Sequence, residues 1–137
     1  MQINVVQPFQ VDFFWPTIAK HIEASQSRGP VDMRLDEIQD NCRADERWRL
    51  LIFDHFEGAA VIRVWDDWLH VVAIGGHFQK GWEWEFFDYL KRLGRFIGAK
   101  YVTLGGRKGW DRKLAPLGFK HLDPVFLGVE IERELEP

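Results

Sequence analysis

The stretch Gly105-Gly106-Arg107-Lys108-Gly109-Trp110-Asp111-Arg112-Lys113 brings a glycine pair, four cations and an indole into one short segment. Glycines expose backbone N–H groups that can cradle an anion, the cations supply charge for a phosphate, and the indole offers a face on which a base can stack. The same residues also describe a flexible turn that runs into a solvated, basic helix start. The five histidines include no H-x-x-x-H pair, which argues against a zinc site. Cys42 is the single cysteine, so no internal disulfide forms and a reducing compartment is expected. No Cys-centred motif surrounds it, and a small buried hydrophobe is the alternative to a nucleophile.

Positioning such residues takes a packed domain, and the composition supplies one. The chain has 137 residues, 46% hydrophobic and 28% charged, which predicts one globular domain over residues 1–137. No apolar run is long enough to span a bilayer, and MQINVVQPFQ lacks the basic-then-apolar layout of a signal peptide, so no membrane partner is expected. A net charge of −3 argues against a general nucleic-acid binder. Cations cluster between Lys80 and Lys120, while Glu130, Glu132, Glu134 and Glu136 make an acidic tail. Solvated faces account for this, and so does pairing between copies. Seven tryptophans cannot all be central, because a buried indole N–H needs a partner.

Periodicity gives the elements. Ile3 to Val6 reads as a strand stopped by Pro8, and Asp12 as the cap of a helix reaching about Ser25, with Phe13, Ile18 and Ile22 among its apolar residues. Asp32 caps a second helix that aligns Leu35, Ile38 and Cys42. Trp48 to Phe56 is apolar on both alternations, as an interior strand should be, and turns at Glu57-Gly58 into Ala59 to Trp65. Asp66-Asp67 turns the chain again into Leu69 to Ile74. A long helix from Trp82 to Ile97 carries Trp82, Phe86, Leu90, Leu93 and Ile97 as its inward stripe, with acids first and bases last.

From Tyr101 to Leu135, YVTLGGRKGWDRKLAPLGFKHLDPVFLGVEIEREL, a strand, a glycine-rich turn, a short helix ending at Leu117-Gly118-Phe119 and two closing strands follow. With the meander and long helix before it, this arrangement resembles the GNAT superfamily of acyl-CoA-dependent N-acetyltransferases across nearly the whole chain. Arg-Lys-Gly-Trp followed by Leu-Gly-Phe is similar to small phage-encoded GNAT-like proteins. The resemblance implies an α/β fold with a mixed, mostly antiparallel sheet and helices on both faces. It implies acyl transfer from an acyl-CoA, acetyl-CoA first, to an amine acceptor in the cytoplasm, that of a bacterial host if the chain is phage-encoded.

In that superfamily the fourth strand leads into a loop, Q/R-x-x-G-x-G/A, whose amides hold the cofactor's pyrophosphate at a helix N-terminus. The matching segment is Phe78-Gln79-Lys80-Gly81-Trp82-Glu83. Gly81 takes the first glycine position, Phe78 stands where Gln or Arg is expected, and Glu83 replaces the small residue. The resemblance gives Ile74, Lys80, Gly81 and Trp82 as cofactor-binding residues, with an ordinary strand-to-helix turn as the alternative. Leu114 occupies the position of the family's tyrosine acid, and Arg107 that of its asparagine. His77 is the implied general base, ahead of His70, Asp54 and His55, or else a structural histidine. Asp36, Glu37 and Asp40 would bias the acceptor side toward cations. These departures keep a second class open: a non-catalytic binding or assembly protein, phage-encoded, whose partner is another copy or a virion protein.

Overall fold

The computed structural model describes residues 1–26, 33–107 and 109–132. Its elements are β1 (Ile3–Val6), α1 (Val11–Gln26), α2 (Leu35–Ala44), β2 (Trp48–Phe53), β3 (Gly58–Trp65), β4 (Trp68–Gly76), α3 (Trp82–Ile97), β5 (Tyr101–Gly105), α4 (Trp110–Leu114), β6 (Lys120–His121) and β7 (Phe126–Glu130). One seven-stranded sheet runs β1-β2-β3-β4-β5-β7-β6. All neighbours are antiparallel except β4 and β5, which are parallel because α3 separates them in the chain. The expected meander and the parallel pair are both present.

Alternation along each strand divides the core in two. Leu51 and Phe53 of β2, Ala60 and Ile62 of β3, and Val102 and Leu104 of β5 meet Phe86, Phe87 and Leu90 of α3 on one face. Trp48, Leu50 and Ile52 of β2 with Ala59 and Val61 of β3 meet Ile18 and Ile22 of α1 and Ile38 and Cys42 of α2 on the other. That is why β2 is apolar at every position but Arg49. In β4 the pairing with β3 shifts between Val61 and Ile62: Val61 faces Ala73 and Ile62 faces Val71. Val72 is the extra residue of a β-bulge, and inward and outward positions exchange across it.

Several local expectations change. β2 ends at Phe53, and the turn comes earlier than Glu57-Gly58: Asp54, His55 and Phe56 take φ of 46°, 56° and 70°. Glu57 N–H closes this turn on Phe53 C=O at 3.1 Å, and Asp54 exchanges hydrogen bonds with Gln2 that tie it to the amino terminus. α1 begins at Val11, so Asp12 lies within the first turn and bonds Arg43 and Gln39 of α2 instead of capping. Phe13 points to solvent, 80% exposed. The cap assigned to Asp32 falls outside the described residues, and α2 starts after Arg34. On α3, Phe86 and Leu90 are fully buried as expected, Phe87 joins them, and Ile97 is exposed. Gly118 adopts φ 93° and Phe119 turns into the core, as the Leu-Gly-Phe pattern predicts. Among the described residues no helix is long and apolar enough to cross a membrane.

Candidate functional site

β4 and β5 pair from Trp68–Tyr101 to Val71–Leu104 and then part, while β4 runs on to Gly76. The parting opens the middle of the sheet. A small cavity of ≈ 50 Å³ sits at its apex, walled by His70, Val72, Leu104, Trp110 and Phe126 together with Ser25 and Gln26 at the end of α1. Outward it adjoins a cleft of ≈ 450 Å³ bordered by His21, His77, Phe78 and Trp82, with the cations Lys20, Arg107 and Lys113 around it. The volume suits a ligand, and the rim suits an anion.

Beyond Val71 the β4 edge has no strand beside it, so its backbone groups need other partners. Ile74 N–H donates to Ser25 Oγ at 3.0 Å, and Val72 C=O accepts from Gln26 Nε2 at 3.2 Å. Gln26 Oε1 in turn accepts from Met33 N–H at 3.1 Å, just before α2. α1 can lie this close because position 75 is glycine: a Cβ there would fall on the backbone carbonyl of His21.

At the apex His70 of β4 faces Thr103 of β5, and Nδ1 lies 2.8 Å from Thr103 Oγ1. The ring is walled edge-on by Trp65 and Phe126, at 5.5 and 5.3 Å between centroids. Burial, and then the Arg63 guanidinium, push the His70 pKa down to about 4. Arg63 lies over Trp48 and Trp65, 5.0 Å from each ring, and its Nε is buried without a hydrogen-bond partner. His70 is therefore a neutral, oriented imidazole at the point where the two strands separate.

Of the residues expected at the site, Ile74, His77 and Trp82 border this cleft. Ile74 lies on its β4 wall, with its N–H already engaged by Ser25. Exposed His77 directly follows β4, its N–H on Glu57 C=O at 2.8 Å and its ring edge-on to His21 at 6.4 Å. Lys80 is exposed just before α3. Gly81 precedes the first residue of α3 at φ 87°, a conformation that favours glycine. Trp82 stacks on Phe78 at 4.4 Å and meets Trp110 edge-on at 6.3 Å, so an indole borders the first turn of α3. Glu83, in that same turn, forms an ion pair with Lys113 of α4 at 2.9 Å. Lys113 Nζ also lies over the Trp82 and Trp110 rings, and Arg107 over Trp110 at 4.3 Å. Of the basic stretch, Lys108 falls outside the described residues. Leu114 is fully buried.

Asp36 and Glu37 pair with Arg34, and Asp40 with Arg43, on α2. None of the three borders the cleft, so the expected acidic bias of the acceptor side is not built from them. His21 is the residue that sequence reasoning missed. Its Nε2 is 3.0 Å from Phe56 C=O, and since a carbonyl only accepts, Nε2 carries the proton and Nδ1 is bare in the neutral ring. Its helical position among apolar neighbours gave no sign of this. Among the described residues no group of three or more His, Cys, Asp or Glu could hold a metal ion.

No protein-family model matches the sequence, and no curated protein matches it. Solved structures do. Tetrahymena GCN5 superimposes with a TM-score of 0.72 at 8% identity, covering 98% of this chain and 99% of that one. An acetyltransferase of the GNAT family from Staphylococcus aureus gives 0.63 at 13% identity, covering 96% and 100%. A Bacillus subtilis acetyltransferase in complex with CoA gives 0.64 at 12%, covering 96% and 99%. At these identities the likeness is one of fold, and the fold is that of the GNAT acetyltransferases.

Proposed function

We propose that the chain, as one domain over residues 1–137, binds an acyl-CoA in the cleft between β4 and β5 and transfers the acyl group to an amine. The observation that carries this reading is the parting of the two strands at Val71 and Leu104, which leaves strand-edge groups on one wall and cations at the mouth. An extended ligand with amides in its middle and phosphates at one end fits those features. Acetyl-CoA is the first cofactor to test, and the B. subtilis protein of this fold was solved with CoA. On this reading Ile74 meets the ligand through its N–H, and Lys80, Gly81 and Trp82 border its phosphates. The acceptor nitrogen attacks the thioester carbon, the C–S bond breaks, and the ammonium proton passes to a base directly or through water. His77, exposed at the outer end, serves as that base, because accepting the proton creates an imidazolium that burial and Arg63 penalise at His70. Leu114 donates nothing, so the departing thiolate takes its proton from solvent. The chain then works where acyl-CoA is found, in the cytoplasm.

Isothermal titration with acetyl-CoA tests this, with micromolar binding expected. Lys80→Glu should weaken it by like-charge repulsion, and Glu83→Gly should tighten it by removing an anion from the first turn of α3. No heat at millimolar acetyl-CoA in any of the three proteins would overturn the reading.

Two observations favour a second reading, a non-catalytic binding or assembly protein, phage-encoded, that partners a second copy or a virion protein. Leu114 stands in the proton donor's position, and the Glu83–Lys113 pair and the Trp82 indole fill space beside α3. Fold alone does not choose between the two.

A further inference from the structure

In a parallel sheet, one residue of the neighbouring strand bonds the carbonyl of residue i−1 and the amide of residue i+1. Beyond the parting, Val72 C=O and Ile74 N–H make such a pair around Ala73. Gln26 supplies the missing donor and Ser25 the missing acceptor. Two adjacent side chains from α1 thus do together what one residue of a neighbouring strand would do. An amide in an extended ligand offers the same donor and acceptor. The proposed acyl-CoA carries two amides in its arm, and that arm and the Ser25–Gln26 pair therefore compete for one position.

Resting on the function proposed above, we infer that Ser25 and Gln26 form a latch that closes the β4 edge in the free protein and is displaced when an amide-bearing arm enters. Only side chains move. The α1 backbone stays seated on Gly75, Ser25 turns about one bond and Gln26 swings out. Release of Gln26 also frees Met33 N–H, so occupancy of the slot is transmitted to the residues leading into α2. The latch holds affinity below what the cleft would otherwise reach, and it favours ligands able to replace both bonds.

Linkage makes this testable, because a contact made only in the free protein stabilises that form and opposes binding. The test compares wild type with Ser25→Ala, which removes a single oxygen, and with the Ser25→Ala/Gln26→Ala double variant. Melting temperature is measured without ligand, and binding is titrated with acetyl-CoA and with adenosine 3′,5′-bisphosphate, which has phosphates but no amide arm. The latch predicts a lower melting temperature for the free variants. It predicts acetyl-CoA affinity about tenfold higher in the double variant and a few-fold higher in Ser25→Ala, with bisphosphate affinity unchanged. Lower melting temperatures with unaltered acetyl-CoA affinity would make the contacts purely structural and overturn the latch while leaving acyl-CoA binding intact. An equal gain for both ligands would overturn it too, since the effect would not come from the arm. Silence of every protein toward acetyl-CoA removes the acyl-CoA reading itself, and the latch with it.

Discussion

His70 remains uncharged at neutral pH, because its burial among Trp65, Phe126 and Thr103 penalises the imidazolium. This has a consequence for stability that does not depend on any activity. The folded pKa of about 4 lies below the ordinary histidine value of 6.5, so the unfolded chain binds the proton first as pH falls. Stability is unaffected by this group above pH ~6.5 and is lost progressively from there to about pH 4, by roughly 3 kcal/mol at the limit. His70→Gln removes the titration. The variant is expected to melt lower at pH 7 through lost packing and to show a shallower decline in Tm from pH 7 to 4. Parallel Tm–pH curves for the two proteins would show that His70 is not the buried neutral group described here. Sequence alone ranked His77 above His70, since position along the strand suggested the outer end. Which histidine sits at the apex depends on the β4–β5 register, and no local pattern encodes that.

α1 does two jobs: it covers one face of the sheet with Ile18 and Ile22, and its last turn closes the strand edge. Both depend on close approach to β4 at Gly75. Gly75→Ala sets a Cβ against the His21 carbonyl, part of a helix backbone that cannot rotate away, so the helix must lift. The expected cost is roughly 2–4 kcal/mol, or roughly 10 °C in Tm. Thermal melting checks it, and a variant as stable as wild type would mean α1 is not held at this point. The meander and the long helix were legible in sequence because periods of two and 3.6 residues are written in the apolar positions. Less legible was the turn at Asp54, His55 and Phe56, which adopts left-handed backbone without a glycine and is held by Gln2 from the far end of the chain. The contacts of Ser25 and Gln26 with β4 were not legible either, since their partners lie more than forty residues away.

Charge distinguishes the two proposed functions for the protein as an object in solution. Arg107 and Lys113 border the cleft, Arg112 is exposed on α4 between Trp110 and Leu114, and Glu130 and Glu132 lie at the opposite end of β7. The tail residues Glu134 and Glu136 fall outside the described residues. If the cations serve an anionic cofactor, Arg112→Glu leaves the molar mass at that of a monomer at every salt concentration. If they meet the acidic end of another copy, wild type self-associates at low salt and dissociates near 1 M, where the Debye length is about 3 Å against about 10 Å at 0.1 M, and Arg112→Glu stays monomeric throughout. Light scattering of both proteins across that range separates the cases. The bulge at Val72 matters for anyone building hybrids of this chain with other proteins of its fold. Leu69 and Val71 face α3 before it and Ile74 faces α3 after it, so the strand's numbering changes parity midway. Matching this strand residue for residue to a regular β4 across Val72 would assign downstream side chains to the wrong layers, with Ile74 toward α1 and Ala73 toward α3. Splice points for chimaeras therefore belong in the turns at either end of β4, where the phase of the whole strand travels together.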